Sequence, residues 1–115
     1  MTINEYQQEA LRTQDVSLSY NDQLMNGVAG LNGEAGEAID IVKKHLYQGH
    51  KLDPEHLAKE LGDVAWYMAV TAAIIGYDLE DIMMINVRKL RKRYPDGFDT
   101  DKSVNRKGGG IDYGK

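Results

Sequence analysis

From Ile3 to Leu90 the apolar residues recur at intervals of three and four, and of the only two prolines Pro54 stands at a break between periodic segments and Pro95 after the last of them. Such spacing lays a stripe along one side of an α-helix and lacks the alternation of a half-buried strand. The chain is therefore expected to be all-α. Thr2 with Glu5 forms a capping box, and Ile3, Tyr6, Ala10 and Leu11 follow on one face, giving a short helix to about Gln14. A second helix is expected to start after Asn21 or Asp22 and run to about Tyr47, stopped by Gly49. Its core stripe is Leu24, Val28, Leu31, Ala35, Ala38, Ile39, Val42 and Leu46. Asp53-Pro54-Glu55 opens a third helix that runs to about Ile75 and ends at Gly76, with Leu57, Leu61, Val64, Ala65, Met68, Ala72 and Ile75 facing the core. Asp78 caps a fourth through Leu79, Ile82, Met83, Val87 and Leu90, which Pro95 halts. Four helices with short connections predict a four-helix bundle over residues 1–99. The segment 100–115, with glycines at 108–110 and no periodicity, reads as a flexible tail.

At 115 residues there is room for one domain. The balance of 18 acidic against 14 basic side chains leaves a net charge of −4, so a broad cationic surface for nucleic acid is not expected. Without cysteine there are no disulfides, thiolate metal sites or thiol nucleophiles, and any metal must sit on oxygen or imidazole. No cationic segment leads into an apolar run near Met1, which points to a cytoplasmic protein. The apolar run from Val64 to Ile75 is too short to cross a bilayer, so no membrane partner is expected. A small bundle cannot cover that helix on every side. A second subunit is therefore expected to bury it, as a homodimer or homotetramer.

Two acidic pairs carry the chemistry: Glu34 with Glu37 on the second helix and Glu60 with Asp63 on the third. Spacing alone decides little, because random order gives about 2.6 acidic pairs at i, i+3 and five occur. Surroundings separate these two from the rest. Gly27, Gly30, Gly33 and Gly36 precede or interleave the first pair, although each costs about 1 kcal/mol of helix stability against alanine. They leave room for either a ligand or a closely packed neighbouring helix. The second pair is embedded in a core-forming stretch and continues to Tyr67, with Trp66 on its flank, where the two rings can either edge a base pocket or pack in the core.

Four carboxylates gathered from two packed helices would repel one another and need a cation. An all-oxygen set suits Mg²⁺, with Mn²⁺ as a substitute. On the fourth helix Asn86, Lys89 and Arg93 share one face and offer phosphate contacts, although basic residues near a helix C-terminus also complement its dipole. The three histidines carry less: His45 and His50 read as solvent-facing, and His56 sits one turn before Glu60.

Glu34-Ala-Gly-Glu37 and Glu60-Leu-Gly-Asp63, with 22 residues between them, together with Asn86 to Leu90 and Arg93 to Phe98, resemble the MazG-like, all-α nucleoside-triphosphate pyrophosphohydrolases across residues 22 to 99. That resemblance implies Mg²⁺ held by Glu34, Glu37, Glu60 and Asp63, and triphosphate contacts from Asn86 and Lys89 with help from Arg93. It implies cleavage between the α and β phosphates to a monophosphate and pyrophosphate. Glu34 or Glu37 would accept the proton of the attacking water. Rival readings are a pyrophosphohydrolase acting on a nucleoside diphosphate or a phosphoribosyl nucleotide, and a non-catalytic helical dimerisation module.

Overall fold

The computed structural model describes residues 1–105. Helices α1 (Ile3–Leu11), α2 (Tyr20–Tyr47), α3 (Pro54–Ile74), α4 (Leu79–Arg93) and a short α5 (Thr100–Val104) follow one another, and the described residues contain no strand. The all-α expectation holds. No helix among them is long and apolar enough to cross a membrane.

Local chemistry sets the ends. Thr2 and Glu5 form the expected reciprocal cap on α1. That helix closes at Leu11 rather than near Gln14, because the next three amides bond three residues back and tighten the chain out of the α-helical path. Ser19, not Asn21 or Asp22, caps α2: its hydroxyl accepts from the amide of Asp22 at 3.2 Å. At α3 the carboxylate of Asp53 accepts from the amides of Glu55 and His56, with Pro54 behind it. One segment departs from expectation. Residues 100–104 form α5, started where the Asp99 carboxylate accepts from the amide of Asp101 at 2.8 Å. The glycine run of the expected flexible tail lies outside the described residues.

The chain divides into two compact units, Met1–Leu79 and the segment from Glu80 onward. In the first, α2 and α3 form an antiparallel hairpin: Gly27 lies opposite Thr71, and Gly30 opposite Tyr67. A Cβ on Gly30 would run into the Tyr67 ring, and one on Gly27 into the Thr71 hydroxyl, whereas Gly33 and Gly36 face open space. The first two glycines thus serve close helix packing.

Helix α1 is stitched onto α3 by polar groups. Gln7, only 2% exposed, donates from Nε2 to the carbonyls of Ala69 and Tyr77, both at 3.1 Å, and accepts at Oε1 from the amide of Leu79 at 3.0 Å. Trp66 donates from its indole to the Ala10 carbonyl at 3.1 Å and to the Thr13 hydroxyl at 2.8 Å. Among the described residues, Ala10, Ala69, Val70, Ala72 and Leu79 are the buried apolar ones.

That core is thin, and it is rotated from the expected stripes. Val28, Ile39 and Leu46 on α2 and Leu61, Met68 and Ile75 on α3, all expected inside, are exposed; Ile39 is 69% open and Leu61 57%. Helix α2 carries apolar side chains on more than one side, and the seam with α3 uses the side bearing Gly27 and Gly30. Glycine admits the closest backbone approach there.

Candidate metal centre

One turn beyond Gly30 on α2, the seam changes from packed rings to carboxylates. Glu34 and Glu37 from α2 meet Glu60 from α3, and each offers one oxygen lying within 4.8 Å of the others. The antiparallel hairpin makes this meeting possible, because it sets the middle of α2 against the first half of α3. Glu34 is half-buried, the Glu60 side chain is 12% exposed, and Glu37 is open to solvent. On both Glu34 and Glu60 the Oε2 atom is shut off from solvent without a hydrogen-bond partner.

Such a cluster resists holding three negative charges. Glu34 has its pKa pushed up to about 7, first by the Glu60 carboxyl that faces it, then by burial and by the charges of Glu37, Asp63 and Glu60. For Glu60 the contact with Glu34 favours its ionised form, but the contact with Glu37, burial and the charges of Glu37 and Asp63 outweigh it, so its pKa is also raised. Without a cation the Glu34–Glu60 pair retains a proton near neutrality. A hard divalent ion fits this set: all donors are carboxylate oxygens, two of the oxygens lack any partner, and the repulsion is what an ion relieves.

Asp63, one turn after Glu60, is exposed and stands apart from the close trio. Its charge is nevertheless felt at Glu34, at Glu60 and at Tyr6 of α1. The Tyr6 phenol is raised above its ordinary value by burial and by that charge. Tyr6 was legible in the sequence only as a core residue of α1. His56, which by sequence reads first as a surface histidine at the helix start, places Nε2 3.6 Å from Oε1 of Glu60. Its i, i+4 spacing from Glu60 was the signal.

From Glu37 and Glu60 an open groove of about 580 Å³ runs along α2 to the α2–α3 turn. It is lined by Gly33, Gly36, Asp40, Ile41 and Lys44 of α2, by His50, Lys51 and Asp53 of the turn, and by His56. Helical periodicity offers no reason to group these residues, because the turn brings back positions that lie outside any single helix face.

The aromatic pair is placed differently from a stacking platform. The Tyr67 ring occupies the hollow over Gly30, and the Trp66 indole N–H is committed to α1. The two rings meet edge to face, centroids 4.9 Å apart at 88°. Asn86, Lys89 and Arg93 stand on α4 in the second unit, with Asn86 exposed and the other two half-buried.

Comparison with known proteins identifies the family. The chain is 36% identical over 81 residues to the Gene 37 protein of Mycobacterium phage L5, a match covering 67% of this chain and 71% of that protein. No solved structure matches it. Residues 23–98 match the MazG nucleotide pyrophosphohydrolase domain, a segment that contains every carboxylate of the cluster, and the chain belongs to that family.

Proposed function

We propose that the protein is a Mg²⁺-dependent nucleoside-triphosphate pyrophosphohydrolase that splits the α–β anhydride and releases a monophosphate and pyrophosphate. The observation that carries this reading is the pair of enclosed, partnerless Oε2 atoms on Glu34 and Glu60 within a trio of carboxylates. Solvated surface acids do not leave oxygens in that state.

Glu34, Glu37 and Glu60 hold the ion, and Asp63 completes the acidic wall. When bound, the ion neutralises phosphate oxygens and makes a coordinated water more acidic. Glu37, the solvent-open member, faces the groove and accepts the proton of the attacking water. Asn86, Lys89 and Arg93 of α4 are the residues that the family resemblance offers for phosphate contacts. Trp66 and Tyr67 act by fixing the spacing of α1, α2 and α3 rather than by stacking on a base. The exposed apolar side chains of α2 and α3 are covered by a second copy of the chain, in a dimer or tetramer.

Pyrophosphate release from a panel of nucleoside triphosphates, diphosphates and phosphoribosyl nucleotides, with Mg²⁺ and with a chelator, tests the activity. Glu37→Gln and Asp63→Asn are expected to abolish Mg²⁺-dependent release and keep the helical circular-dichroism signal. Full turnover in either variant removes that residue from the mechanism. A dimerisation module without catalysis would show no rise of melting temperature with Mg²⁺, whereas a bound ion stabilises by mass action.

A further inference from the structure

The groove beyond the carboxylates changes character along its length. At one end stand Glu37 and Glu60; at the other, Lys44, His50 and Lys51 gather at the α2–α3 turn together with Asp40 and Asp53. Glu37 and Lys44 are seven residues apart on α2, about 10 Å along the axis. Between them Asp40 and Ile41 line the groove, and on the far side of Glu37 Gly36 and Gly33 present bare backbone facing open space.

The turn that carries the lysines is built rather than incidental. The amides of Gln48 and His50 both donate to the Lys44 carbonyl, at 3.0 and 3.1 Å, and Nδ1 of His45 lies 3.0 Å from the His50 carbonyl. Gly49, at φ +73°, allows the reversal that these bonds require. The turn is thereby fixed to the end of α2 before any ligand arrives, so little ordering entropy opposes binding there. Lys44 is oriented by Asp40, Nζ to Oδ2 at 2.9 Å, while Lys51 makes no ion pair among the described residues.

We propose that Lys44 and Lys51 form a subsite for the terminal phosphate of the nucleotide's polyphosphate chain, with the carboxylate cluster holding the cation at the opposite end of the groove. The assignment rests on the pyrophosphohydrolase reading and adds to it a reason to prefer triphosphates over shorter chains. A surface for a cation alone has no use for the lysines, and one for an anion alone would not place Glu37 and Glu60 beside it. A polyphosphate chelating a divalent ion presents both charges in that order. Lys51, with its amine uncommitted, contributes most, and Lys44 supports it.

The test measures binding of inorganic pyrophosphate in Mg²⁺ by calorimetry, alongside KM and kcat for a nucleoside triphosphate. Lys51→Gln is expected to weaken pyrophosphate by about tenfold, the loss of one charge-assisted hydrogen bond, and to raise KM in proportion with a smaller change in kcat. Lys51→Arg is expected to restore both. Lys59→Gln, the same charge change at an exposed lysine outside the groove, is expected to alter neither. Equal pyrophosphate affinity in the wild type and Lys51→Gln, or equal weakening by Lys59→Gln, overturns the subsite and leaves the catalytic reading standing. Pyrophosphate binding that depends on Lys51, in a protein that turns over no nucleotide, overturns the catalytic reading and supports the subsite.

Discussion

Glu34 follows Gly30 by one turn on α2, and the two residues answer to opposite demands. Glu34 is held where its charge is opposed, so in chelator-treated protein it binds a proton more tightly when the chain is folded than when it is not. Its contribution to stability is therefore full below the ordinary glutamate value of 4.5 and is lost as pH rises through about 7. Melting temperatures of the metal-free protein are expected to fall across that window, and Glu34→Gln is expected to flatten the fall. Gly30 is held where any side chain meets the Tyr67 ring. Gly30→Ala is expected to destabilise by about 1–3 kcal/mol despite its better helix propensity. At Gly33, with open space beyond it, the same change should stabilise by up to about 1 kcal/mol. Urea unfolding of the two variants separates them. The acidic pairs and the glycines were all visible in the sequence as departures from an ordinary amphipathic helix. Which glycines meet a ring and which meet solvent was not visible, since that depends on the rotation of α2 against α3.

Helix existence and most helix ends were legible because they are set locally: Thr2, Asp53 and Gly76 do their work within a few residues. The faces were less legible. Val28, Ile39 and Leu46 satisfy the helical period as well as any core residue, yet lie exposed, because periodicity finds apolar sides without saying which side meets which neighbour. Gln7 is the converse case. It sits on the inner face of α1 between Ile3 and Ala10, but a glutamine reads as solvated until its three distant backbone partners are known. Gln7→Met keeps the shape and strands those groups, so it should cost about 2–4 kcal/mol. Hydrogen exchange should show faster opening at Leu79 than in the wild type.

Among the described residues so few apolar side chains are buried that the core is thin. The expected outcome is self-association: the wild type should sediment as a dimer or larger species at micromolar concentration, and Ile39→Lys should shift it toward a smaller one without loss of helix content. A monomeric wild type would assign the exposed faces to some other purpose. The close carboxylate trio was legible as a motif, because its acids fall at fixed spacing on two helices. The groove was not, because His50, Lys51 and Asp53 reach it only through the turn.

The stretch shared with other members of the family begins at residue 23, but the Gln7 and Trp66 bonds tie the preceding helix to the back of α3. Trimming the chain to that shared stretch would strip a supporting strut from the helix that bears Glu60, leaving the indole with no acceptors and Ala69 and Ala72 uncovered. Anyone shortening this protein for expression should therefore expect insolubility or a frayed α3, even though every carboxylate of the cluster is retained.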